Sequence, residues 1–361
     1  MEKFEALFSS KKKKDDKTPL SPEKEKEDVS ELEKATELKK EINEIARGRN
    51  LEDLELPDLK EVLNKYRQIE SALGVSSKET PETVQEQMDM AKEVMGEEYF
   101  GLQEVEKAFG IKISPKEIPE IPFGKSELER AKELNQFLVL RVDKVQDGKP
   151  LSLQKINEVL KGKVSDGSKL LYSDDGKGGI KSDAWYKDED FIKNETPKLA
   201  WALVSKEVIA DSTSKNYLQQ TEELMGYIKN QVFSAKGGSA SGGKGEMPKV
   251  YQDAIDEFEK EKDDIGKIIS SDWQKASEKL SQLKINQLAR QNPAEVLYDI
   301  AIYFQNKRER ILENMYTWTS RRASDGGLVS VGCFDSGGVT VSRFTPDCSF
   351  DYLGVAFSRS L

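Results

Sequence analysis

The last 43 residues, Thr319 to Leu361, contain no Lys, Glu, Gln, Met or Trp, although lysine and glutamate crowd the rest of the chain. Apolar residues there come in short bursts, LVSVG, VTVS and LGVAFS, separated by Gly, Asp, Ser and Pro. Bursts of that length between turn formers predict strands and turns. Strands disfavour Lys and Glu only mildly. Strand structure therefore explains depletion of these residue types but not their complete absence. A cause at the level of codons fits better. Randomising both adenines of AAC codons yields every codon ending in C, and those codons encode all amino acids except Lys, Glu, Gln, Met and Trp. The missing set matches. Cysteine also becomes accessible at such positions, and both cysteines of the chain, Cys333 and Cys348, lie in this tail.

Upstream the text is mostly helical. At 361 residues the chain has room for two domains, or for one large domain with appendages. Residues 1–28 are polar, blocky in charge and too poor in apolar residues to offset ordering, which predicts a disordered tail. From Val29 a helical period begins, and four short helices are predicted within 29–112, including TPETVQEQMDMAKEVMG and GLQEVEKAFG. ISPKEIPEIPFG, with three prolines over 113–124, reads as a linker. Beyond it SELERAKELNQ is a predicted helix, FLVLRV and LAWALVS are predicted strands, and LSLQKINEVL is a predicted helix with Ser152 as N-cap. Residues 163–197 read as a long irregular connection. Long amphipathic helices fill 212–312, interrupted by SAKGGSASGGKGEMP. That glycine-serine loop follows no strand and lacks the G-x-x-x-x-G-K-[ST] spacing of a phosphate cradle.

Composition excludes several functions. The net charge of −10 argues against a nucleic-acid partner, which needs a basic face; the lysine run at 11–14 reads as a solvated tail. With no histidine there is no imidazole base, no Ser-His-Asp or Cys-His arrangement and no ordinary zinc site. No apolar run approaches a membrane span, and the N-terminus lacks the apolar core of a secretory signal, so the expected location is the cytoplasm. SDDGKGG and YKDEDF cluster acids, but without the ligand spacing of a calcium loop. No cofactor is expected.

The tail resembles the variable region of target proteins of diversity-generating retroelements, which have a C-type lectin-like fold. Trp318 in YTWTS, the rhythm LVSVGCFDSGGVTV and the closing LGVAFSRS carry the resemblance. It implies an α+β chain: a lectin-like, β-rich domain over 125–361, a helical insertion at 212–312 and a variable region at about 330–357. The family displays mutagenised side chains on one exposed face of a fixed frame. The expected frame is Val329, Val331, Phe334, Gly338, Val339, Val341, Leu353, Gly354, Val355 and Phe357, with Gly332 at a further turn or bulge. The expected display set is Cys333, Ser336, Gly337, Thr340, Ser342, Arg343, Phe344, Thr345, Asp347, Cys348, Phe350, Asp351, Tyr352 and Ala356. Aromatic anchors among small polar residues suit a binding surface. Arg359 either pairs with a carboxylate or stands exposed. The expected function is non-catalytic recognition of an unknown protein or surface ligand. The alternatives are an enzyme related to formylglycine-generating enzymes, which use a cysteine pair on the same fold class, and a helical scaffold capped by a β-region.

Overall fold

A computed structural model of the chain describes residues 83–161, 169–233 and 247–360. These all belong to the second of two units, Pro81–Leu361. The expected tail 1–28, the helices expected before residue 83 and most of the glycine-serine loop lie outside the described residues.

The fold is α+β. The first half alternates helices and strands: α1 (Val84–Met95), β1 (Tyr99–Phe100), α2 (Leu102–Phe109), α3 (Lys125–Glu133), β2 (Gln136–Arg141), α4 (Leu153–Leu160), α5 (Asp190–Asn194) and β3 (Ala200–Ser205). Four further helices follow: α6 (Tyr217–Tyr227, running into a π turn at Ile228–Val232), α7 (Lys249–Ile268), α8 (Trp273–Gln282) and α9 (Lys284–Ala289). The chain ends with α10 (Pro293–Lys307), β4 (Tyr316–Arg322), β5 (Leu328–Asp335), β6 (Gly338–Phe344), β7 (Leu353–Gly354) and β8 (Ser358–Arg359). Ser152 caps α4 as its sequence predicts, accepting from the Lys155 N–H. Among the described residues no helix is long and apolar enough to cross a membrane.

Two four-stranded sheets organise the strands, in the orders β1-β2-β3-β8 and β6-β5-β4-β7. The second is antiparallel except where β7 runs parallel to β4. The C-terminal strand passes from one sheet to the other between Gly354 and Ser358, tying them together.

Two of the expected boundaries change. The Pro-rich run 113–124 is not a spacer: Ile118, Ile121 and Phe123 enter the same apolar core as α1, α2 and the first sheet. The helices of 212–312 are likewise not one insertion. Helices α6 to α9 pack together in a second core, while every residue of α10 from Pro293 to Gln305 is buried, with its apolar side chains in the first. A helix buried on all sides needs no polar stripe. Tyr298 stacks on Phe109 at 4.6 Å and donates to the Leu140 carbonyl at 2.8 Å, and Phe304 meets Phe334 of β5 edge to face at 5.0 Å.

One ion-pair network joins α10 to strands β2 and β8 of the first sheet. Arg141 of β2 reaches Asp299 through Nε (3.1 Å), Glu295 (3.4 Å) and the Ser358 hydroxyl of β8 (2.9 Å). Gln291 donates to Asp299 Oδ2 at 2.6 Å, the oxygen that Arg141 Nη2 also reaches. Burial pushes the Asp299 carboxyl up to about 6. Removing one member of such a group strands the others in low dielectric, which is strongly destabilising. Arg359 resolves its two expected alternatives: it is buried, bonded to Glu127 at 3.0 Å and stacked over Phe123 and Phe233.

Candidate functional site

Alternation along the strands of the second sheet sorts its side chains onto two faces. Register pairs Val331 with Val341 and Val329 with Arg343; together with Val339 these valines lie in the first core, beneath α10. The opposite face carries three rows across β4, β5 and β6. One is Tyr316–Gly332–Thr340, the next Trp318–Ser330–Ser342, and the last pairs Leu328 with Phe344. All ten expected frame residues are buried.

The strand geometry explains two of the glycines. A Cβ on Gly332 would stand 2.1 Å from the Met315 carbonyl oxygen, where the β5–β6 ladder begins to bulge. Its neighbour Cys333 takes the left-handed conformation (φ 46°) and donates its N–H to that carbonyl. Gly338 closes the two-residue Ser336–Gly337 turn at φ 105°, with backbone of 169–172 too near for a side chain.

On the second face, aromatic rings form a continuous array. Trp318 meets Phe344 edge to face at 5.9 Å, Phe344 meets Phe350 at 5.2 Å, Phe350 stacks on Tyr352 at 5.1 Å, and Tyr352 meets Tyr316 at 6.0 Å. The Tyr316 hydroxyl lies beside the side chains of Ser342, Thr340 and Cys333. Burial, then the neighbouring thiol, pushes its pKa up. Burial likewise pushes the Cys333 thiol up, so at neutral pH it is a thiol rather than a nucleophilic thiolate. Both cysteines are free and half-buried.

The loop 345–352 is held by its backbone. Tyr217 and Ser214 donate N–H groups to the Pro346 and Phe350 carbonyls, and Tyr316 donates to Tyr352, at 2.8–3.0 Å. Within it the Thr345 hydroxyl bonds Asp347 and lies 3.3 Å from the Cys348 sulfur. Asp347, Asp351 and Tyr352 are exposed; Thr345, Cys348 and Phe350 are half-buried.

The fourteen expected display residues therefore do not form one patch. Cys333, Thr340, Ser342, Phe344, Phe350 and Tyr352 come together. Arg343 points to the other face, where it lies over the Trp185 ring at 4.2 Å and pairs with Asp325. Ser336 and Gly337 sit at the hairpin turn, with the exposed Tyr172 against Gly337. Ala356 is 2% exposed and does not belong to the set. It lies in the crossing between the sheets, where its N–H is taken by the Thr317 hydroxyl at 2.9 Å. Conversely, the sequence reading missed Tyr316, which sits among the assembled residues. Its signal was its spacing two residues before Trp318 on the same strand.

The acidic clusters have local structural partners. Asp174 is buried, accepting from Asn157 at 2.7 Å and from the Gly176 N–H, and Asp175 accepts from Lys177 and Gly179. Glu189 receives the Ser324 N–H and hydroxyl. Comparison with protein-family models, with curated proteins and with solved structures yields no match for this chain.

Proposed function

We propose that the chain is a non-catalytic recognition protein whose ligand face is the aromatic array of β4, β6 and the 345–352 loop. The observation that carries this reading is the division within single strands: each frame valine is buried, and the side chains beside it (Thr340, Ser342, Phe344) stand partly open among aromatic rings on a pinned loop. Rigid aromatics with small hydroxyls give contact area at little entropic cost. Substitutions at these positions leave the frame's burial untouched, which is what a diversified surface requires. The missing residue types of the tail and its resemblance to retroelement variable proteins with a lectin-like fold support the same reading. The raised Cys333 thiol weighs against a cysteine nucleophile there.

The test has two parts. The gene's neighbourhood is searched for a reverse transcriptase and a near-copy of the segment encoding 330–360, with differences confined to template adenines. The full chain is then screened on protein and glycan arrays, and any ligand found is titrated against Phe350→Ala/Tyr352→Ser. The expected result is at least a ten-fold loss of affinity, about 1.4 kcal/mol. Unchanged affinity contradicts the proposal.

A further inference from the structure

Beneath the aromatic array lie two polar atoms that nothing satisfies. Trp318 Nε1 and Ser330 Oγ are both buried and both lack a hydrogen-bond partner. They belong to one cross-strand row of the same sheet face, Trp318–Ser330–Ser342. A buried unpaired donor or hydroxyl costs free energy, and an alanine at 330 would avoid that cost. The floor around them is made of small residues: Ser330 is flanked on its own face by Gly332, with Thr340 and Ser342 on the next strand. Phe344 packs edge to face on the Trp318 ring, and Phe350 rests on Phe344. Both covering rings stand at display positions and are half-buried, whereas Trp318 and Ser330 are themselves buried.

We infer that Phe344 is the gate of a polar subsite in this face, whose floor is Trp318 Nε1 and Ser330 Oγ and whose ligand is an aromatic hydroxyl. The inference rests on the face being a ligand site and adds what it takes. Trp318 Nε1 only donates, so the entering group must accept; Ser330 both donates and accepts. A hydroxyl answers both, and an ammonium, which has donors only, does not. A carboxylate would bring an unpaired charge onto a buried floor, at a far higher cost than a hydroxyl. The flanking rings of Tyr316, Phe350 and Tyr352 favour an arene around that hydroxyl. Residue 344 then sets specificity: phenylalanine closes the floor, and a smaller side chain opens it.

The test uses the full chain carrying Phe344→Ala, with Phe344→Val as a second opening variant should the first fail to fold. Each is titrated with p-cresol and with toluene, which shares the ring and methyl but lacks the hydroxyl. Binding is read from melting temperature and from the NMR shift of the Trp318 indole N–H. The opened variant should bind p-cresol roughly ten-fold more tightly than toluene, with a shifted indole resonance, and the unaltered chain should bind both more weakly. Adding Ser330→Ala or Trp318→Phe should reduce the preference, and Ser330→Ala alone should leave the melting temperature unchanged or higher. Equal affinity for the two probes, a preference that survives both floor substitutions, binding to the unaltered chain as tight as to the opened one, or binding of neither probe by either opened variant would each overturn the inference. Failure of the recognition proposal itself looks different: partner affinity indifferent to Phe350 and Tyr352, whatever p-cresol does.

Discussion

The two faces of the β6-β5-β4-β7 sheet are made by the same strands and are built to different standards. The face under α10 is apolar and closed: Val329, Val331, Val339, Val341 and Phe334 are buried with Phe304 and the rest of the first core. The opposite face is only partly covered by α6 to α9. It ends in half-buried rings and hydroxyls, and it leaves Trp318 Nε1 and Ser330 Oγ unpaired. One face is closed under α10, and the other leaves rings and hydroxyls half-buried at its rim.

The largest expected effects come from breaking the closed face. Phe334→Ala removes a fully buried ring and is expected to cost about 3–5 kcal/mol in denaturant unfolding. Gly332→Ala drives a methyl against the Met315 carbonyl and should destabilise by a similar amount.

A pH effect marks the border of the sheet. Burial pushes Glu195, beside Arg321 of β4, up to about 7 from an ordinary 4.5. A raised folded value means the folded chain holds this proton more tightly. Its contribution to stability is complete below about 4.5 and is lost as pH rises through about 7. Glu195→Gln should therefore gain on the unaltered chain between pH 5 and pH 8, on the order of 2 kcal/mol. Parallel melting curves at all pH values would contradict the assignment.

The smallest effects are expected on the open face. Ser342→Ala and Tyr352→Ser should each stay within roughly 0.5 kcal/mol of the original stability, with two free thiols in titration. A loss of several kcal/mol from either would erase the contrast between the faces.

Much of this arrangement was legible in the sequence because period-two alternation survives in VSV and VTV, where each second residue is an inward valine. Alternation failed where the strand stopped. Val355, Ala356 and Phe357 are all buried because that segment crosses between two sheets with protein on both sides, so no outward position exists for Ala356. Arg343 follows the alternation faithfully, and it was its charge and position in a variable-looking run that suggested display. Helix α10 was read as amphipathic; its run VLYDIAIYF is apolar nearly all round, the pattern of a central helix, and the one acid within that run, Asp299, is a partner of Arg141. That arginine, inside the strand FLVLRV, carries no sequence mark of the buried network it centres. Tyr316 was overlooked because it precedes the run that lacks Lys and Glu. The unpaired atoms of Trp318 and Ser330 could not be read from sequence at all, since satisfaction of a polar group is a property of the packing.

The contrast between the faces is tested most directly by two libraries of the full chain, sorted for resistance to proteolysis. One randomises Thr340, Ser342, Phe344, Phe350 and Tyr352; the other randomises Val329, Val331, Phe334, Val339 and Val341. The account expects a large share of the first to stay folded and almost none of the second. Equal survival of the two would contradict it.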